Sequence, residues 1–212
     1  MSPNQNLLIN LIRANQGILK QKLSLLETLQ AKYGSQKTTD LFTKICPIVQ
    51  ASIGQHYRHS MDHLELVALV ASARNEMGST VGSGDIKMEP ITLNYDLRVR
   101  GGTLETDVEE AKKRIDSVFH VLGQIEIDAS DQNKVVEEKV YASFMLSGDS
   151  KDPEMSLTST IGRELGFAAH HALHHLAMVK VIATHTVGLE NEELGSGFGK
   201  APSTIRFELD KK

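Results

Sequence analysis

The chain has 212 residues, with 27 acidic against 23 basic side chains and a net charge of −4. It is 40% hydrophobic and 24% charged, the balance of an ordinary globular domain, and its bases do not cluster as a nucleic-acid footprint would require. No apolar run approaches the ~20 residues of a membrane span, and the lone cysteine, Cys46, excludes an intrachain disulfide.

The N-terminal stretch MSPNQNLLINLIRANQG lacks a basic start followed by a long apolar run, so no secretory leader is expected and a reducing, cytoplasmic setting is. Leu8, Ile12, Ile18, Leu19, Leu23, Leu26 and Leu29 recur at helical spacing and predict a first helix over 5–33, ended by YGS. Residues 36–51 are mixed, with Pro47 breaking any continuous helix. Ser52 is placed to cap a second helix running to about 74.

The stretches GSTVGSGD and RVRGGT have loop composition, and ITLNYDLRVR between them alternates weakly, as an extended segment does. Thr106 with Glu109 has the form of a capping box and opens a third helix to about 123, with Val108, Ala111, Ile115, Val118 and Leu122 on its apolar face. KVVEEKVYASFML, residues 134–146, suits a short strand or an extended connection. A fourth helix is expected from Ser159 or Thr160 to about 187, followed by a glycine-rich tail in which STIRFEL reads as extended. The expected fold is all-α: a single domain over 1–212, built as a four-helix bundle with long irregular connections and room for a short β-hairpin.

Nine histidines are present, and seven fall in two short stretches, SIGQHYRHSMDH and GFAAHHALHHLAMVK. With His170 taken as zero on a helical wheel, His174 lies at ~40°, His171 at ~100° and His175 at ~140°. Ala168, Met178 and Ile182 flank His171 and His175, so that pair is expected to face the core, while His170 and His174 run with Arg163 toward the edge. Two neutral imidazoles at i and i+4 can share one metal ion, and the second helix offers His56, His59 and His63 on one face as further donors. Glu164 points inward near the same face, where it could orient a ligand histidine, act as a base, or simply complement the helix dipole.

These segments resemble a known family. SIGQHYRHSMDH is similar to the IGxHxRHxxDH segment, and TSTIGRELGFAAHHALHHLAMVK to the histidine-rich last-helix segment, of a branch of the DinB-like (DinB/YfiT) superfamily of metalloenzymes; NYDLRVR and FGKAPSTI also resemble its pieces, in the same order. The resemblance spans residues 52 to about 205 and departs at His170, where the branch usually has a small polar residue. It implies a four-helix bundle holding one divalent ion, zinc or nickel foremost, on His171 and His175 of the last helix and His59 of the second, with His56 the alternate and His63 the third choice. Characterised relatives include thiol-dependent transferases and isomerases and a domain of sulfoxide synthases.

Two functional classes follow. The first is a metal-dependent enzyme, a transferase using a low-molecular-weight thiol or a hydrolase acting on a small molecule, in which three neutral ligands leave a position open. Arg98 and Arg100, near Tyr95 and Asp96, could then meet an anionic substrate, and the tail GSGFGKAPSTI is expected beside the site mouth. The second is a non-catalytic, metal-containing binding or stress-associated protein, with metal buffering by the clustered histidines a further variant. A homodimer paired through a helix face fits either class; a nucleic-acid or membrane partner fits neither.

Overall fold

The computed structural model describes residues 6–80, 89–97, 102–128, 132–149 and 152–211. Arg98, Arg100 and the loop stretch at 81–88 lie outside them. Eight helices are described: α1 (Leu7–Tyr33), α2 (Ser35–Thr43), α3 (Ile53–Thr80), α4 (Val108–Asp128), α5 (Gln132–Glu137), α6 (Ile161–Ile182), α7 (Asn191–Leu194) and α8 (Pro202–Leu209). The three strands are β1 (Ile91–Asn94), β2 (Lys139–Phe144) and β3 (Met155–Thr160). Helix dominates, as an all-α reading requires, and the four long helices α1, α3, α4 and α6 fall on the four predicted spans.

Side chains set the helix starts. Ser52 and Gln55 form a reciprocal capping box on α3: Gln55 N donates to Ser52 Oγ at 3.1 Å and Ser52 N to Gln55 Oε1 at 3.0 Å. Thr160 Oγ1 accepts from Arg163 N at 3.2 Å at the start of α6. The expected Thr106–Glu109 box is replaced by Asp107, whose Oδ1 accepts from the backbone of Glu109 at 2.9 Å and Glu110 at 3.2 Å. A carboxylate one residue closer to those orphan amides is the stronger cap, and the Thr106 hydroxyl turns back to Thr103 O.

At its end α6 widens into a π-helical turn over Ala183–Val187, closed by Gly188 at φ 83° with Leu189 N donating to Ala183 O, so the helical path ends where the sequence expects it. One further correction concerns the tail. STIRFEL is helical, not extended: Pro202 sits in the first turn, where its missing N–H is harmless, and Lys200 bridges to Glu208 at 2.7 Å. β2 and β3 form the anticipated hairpin, and β1 joins β2 in parallel, giving the order β1-β2-β3. Along β2, Val140 and Ala142 are buried while Lys139 and Tyr141 are exposed, the alternation of a sheet with one covered face.

The chain forms two compact units, residues 1–16, 62–100 and 117–169 in the first and 17–61, 101–116 and 170–212 in the second. The first has Leu8, Ile12, Val67, Val118, Val140 and Leu165 in its core; the second has Leu19, Leu26, Phe42, Tyr57, Leu176 and Val179. Among the described residues no helix is long and apolar enough to cross a membrane.

Candidate metal centre

The second unit gathers histidines from two helices. On α6, His170 and His174 are exposed, whereas His171 is half-buried and His175 is 9% exposed. On α3, His56 and His59 are half-buried. His171 Nε2 lies 3.1 Å from His59 Nε2 and 3.2 Å from His175 Nε2, and the rings of His59 and His175 have centroids 4.6 Å apart. His171 Nε2 is therefore close to the Nε2 atoms of both His59 and His175.

That spacing can be tested against metal chemistry. Ligand bonds of 2.0–2.1 Å in a tetrahedron place neighbouring nitrogens ~3.3 Å apart. The two separations from His171 are close to that value. The contact between His56 Nδ1 and His175 Nδ1 is different: at 2.7 Å it has the length of a hydrogen bond between rings. With His175 Nδ1–H donating to His56, the lone pair of His175 Nε2 is left free to ligate, and His56 acts as the orienting partner that ligand histidines commonly have.

The chemistry of the corner favours neutral rings. Burial pushes His56 down to about 4, helped by the charges of Lys22 and His174. His175 is pushed lower still, first by burial, then by His171, His59, His56 and Lys22. A metal ligand must be deprotonated, and here the surroundings already disfavour the proton.

His63 follows His59 by one turn of α3 and is 5% exposed. His59, His63 and His171 each offer one ring nitrogen, all within 4.8 Å of one another, and so could hold a metal ion. Two groupings thus share His59 and His171 and differ in taking His175 or His63 as the third donor.

Within the first unit, His63 stacks on Tyr95, with centroids 4.8 Å apart and planes 17° from parallel, and Phe144 and Phe167 complete an aromatic cluster with Tyr95. Tyr95 OH donates to Glu164 Oε2 at 2.7 Å; Ser159 Oγ and Arg163 Nη1 donate to Glu164 Oε1 at 2.5 and 2.6 Å. Glu164 is fully buried, so its inward orientation follows the helical wheel, and its carboxylate is held by three donors. Burial and then the Glu164 charge raise the Tyr95 hydroxyl far above its usual range, keeping it a donor.

The helical wheel missed Lys22. Leu8, Ile12, Asn15, Leu19, Lys22, Leu26 and Leu29 alternate spacings of four and three and are all buried, so Lys22 occupies a core position of α1. The signal was present as two polar residues, Asn15 and Lys22, interrupting an otherwise apolar stripe. Lys22 is 0% exposed; its Nζ donates to Ser60 Oγ at 2.6 Å and sits 4.2 Å from the centre of the Tyr57 ring.

The tail also reaches this unit. Gly199, at φ +64°, packs its Cα against α6, where an added Cβ would meet Leu176 O at 2.8 Å, and its N–H donates to Gln21 Oε1 at 3.0 Å. It therefore docks on the neighbours of His175 and Lys22, while Phe198 beside it is 3% exposed.

No family model and no solved structure matches the chain. It is similar to FK506-binding protein 5 of Rhizopus delemar, 34% identical over 114 residues, which are 54% of this chain and 27% of that protein. The chain thus spans about a quarter of the length of the curated relative it matches.

Proposed function

We propose that this chain is a metal-dependent enzyme of the DinB-like kind, its four long helices forming a bundle, with one divalent ion held by His59, His171 and His175. The observation that carries the reading is that His171 Nε2 lies 3.1 Å from His59 Nε2 and 3.2 Å from His175 Nε2, both close to the separation a tetrahedral ion requires. His56 orients His175 through its Nδ1. Glu164, bound by Tyr95, Ser159 and Arg163, supports the start of α6 and is better suited to positioning than to taking a proton. A bound ion supplies Lewis acidity to a small-molecule substrate or a low-molecular-weight thiol; the residues described supply binding, orientation and a half-buried setting.

The alternative is a non-catalytic binding protein whose metal braces helix packing. The name of the Rhizopus relative describes ligand binding rather than catalysis of a reaction. A structural site fills all its positions with protein donors, whereas a catalytic one exchanges a ligand.

The test is metal per chain in untagged protein. His59→Ala, His171→Ala and His175→Ala should each lose stoichiometric ion, and His170→Ala and His174→Ala should keep it. Retention by all of the first three variants would refute the centre. Loss in His63→Ala with retention in His175→Ala would assign the third position to His63.

A further inference from the structure

A fully buried lysine needs a reason. Taking an ammonium out of water costs several kcal/mol unless a counter-charge and hydrogen bonds repay it. Lys22 has one hydroxyl and one aromatic face as partners, and no carboxylate pairs with it among the described residues. Ser60 does not neutralise it, since its own hydroxyl donates onward to His56 O at 2.7 Å. Among the described residues Ser60 Oγ is the one hydrogen-bond acceptor for the three ammonium hydrogens, beside the Tyr57 ring face.

A second orphan stands near the first. His56 Nε2 is buried and has no hydrogen-bond partner. The tautomer that frees His175 for a metal is the one that puts a hydrogen on this atom, because His56 Nδ1 must then accept. Lys22 Nζ bonds Ser60 Oγ at 2.6 Å, and Ser60 Oγ bonds His56 O at 2.7 Å, so the ammonium is tied through one hydroxyl to the turn of α3 that carries His56. Among the described residues the result is a corner whose ammonium and imidazole N–H donors outnumber their acceptors, with the proposed cation site alongside.

We propose that Lys22 and His56 form an anion-binding corner of this centre that receives the carboxylate of a small monoanionic ligand. The inference rests on the metal-centre reading above and adds the chemical class of the ligand. Two donors from different helices suit the two oxygens of a carboxylate, and a thiolate is a weaker acceptor with one atom to share. An ammonium and a divalent ion carry excess positive charge that a carboxylate offsets, and the neutral imidazole N–H adds a donor. Burial depresses Lys22 to about 7, and an anion in contact would restore the charged form.

The experiment titrates acetate into cobalt-loaded protein, read by the visible spectrum, and into metal-free protein, read by thermal shift, with metal per chain measured in parallel. Lys22→Met should keep one ion per chain and bind acetate roughly tenfold or more weakly, the loss expected for one charge-assisted hydrogen bond. His56→Asn should also weaken acetate. Binding of 2-mercaptoethanol, which has no carboxylate, should be the same in wild type and Lys22→Met. Nitrogen NMR of lysine-labelled wild type should show one buried lysine responding to acetate, a readout that needs no variant to fold. Equal acetate affinity in wild type and Lys22→Met overturns the proposal, as does a loss confined to the thiol. A wild type that holds no ion refutes the metal centre alone; the metal-free titration then still decides the corner, by whether acetate stabilises wild type and not Lys22→Met.

Discussion

Replacing Lys22 by methionine should stabilise the metal-free protein at neutral pH, against the usual effect of core substitutions. Burial lowers the Lys22 ammonium from 10.5 to about 7. At about 1.4 kcal/mol per pH unit, that gap is a cost to the folded state of about 5 kcal/mol wherever both states are protonated. Methionine fills a similar volume without the charge. Losing the Ser60 bond and the Tyr57 ring contact takes back about 2 kcal/mol, leaving a net gain of about 3 kcal/mol near pH 7. The pH profile tests the cause. Between about 7 and 10.5 the unfolded chain holds a proton at Lys22 that the folded chain has released, so wild-type stability rises with pH across that window. From pH 7.5 to 9.5 the rise should be about 3 kcal/mol by urea unfolding with chelator present. Tyr57, whose buried hydroxyl is raised well above its ordinary value, opposes the trend only above pH 10, so the window is clear of it. Lys22→Met should lack that rise. Parallel profiles for the two proteins, or a variant less stable at pH 7, would refute the reasoning.

His56→Ala should weaken metal affinity roughly 10- to 100-fold without abolishing binding, since it removes the partner of His175 and not a donor; equilibrium dialysis measures this. In metal-free protein, His56 lies at about 4 when folded and near 6.5 when unfolded, so the unfolded state binds the proton first and stability falls as pH drops through that interval, checked by acid titration of the circular dichroism signal. Ser52→Ala should cost about 1 kcal/mol by removing the acceptor for Gln55 N at the start of α3, read by urea unfolding. Gly199→Ala should undock the tail, because its Cβ meets Leu176 O at φ +64°; faster limited proteolysis after Leu194, with metal content retained, is the expected result.

The long helices were legible because each carries an apolar stripe of period 3.6 and is preceded by a polar residue, Asn6, Ser52, Asp107 or Thr160. Where the sequence misled, a local competitor won. Asp107 outbid Thr106 because a carboxylate reaches two amides at once. STIRFEL alternates like a strand, but Pro202 presets the first helical turn and the segment buries no residue that would reward a sheet. The facing of the four α6 histidines could be read from angles, since Ala168 and Ile182 mark the buried side, and both are 0% exposed. The ring-to-ring bond of His56 with His175 could not, because it joins two helices 119 positions apart in sequence. Lys22 stood in plain view in the stripe of α1, yet lysine is so regularly a surface residue that spacing alone did not mark it.

Whether the centre is catalytic or structural turns on His63. Three imidazoles leave a position open; a fourth from the protein would close it. His63 has a nitrogen within 4.8 Å of those of His59 and His171, near enough to raise the question. Its ring, however, lies flat on Tyr95, and Tyr95 is fixed in turn by its bond to Glu164. Moving His63 in to ligate would disturb a stack whose members are buried, at a cost of about 1 kcal/mol or more. An open centre predicts that His63→Ala keeps one ion per chain, and that exogenous imidazole changes the spectrum of cobalt-loaded wild type and variant alike. A closed, structural centre predicts that imidazole enters only after His63 is removed. The second outcome would end the enzymatic reading while leaving His59 and His171 as ligands.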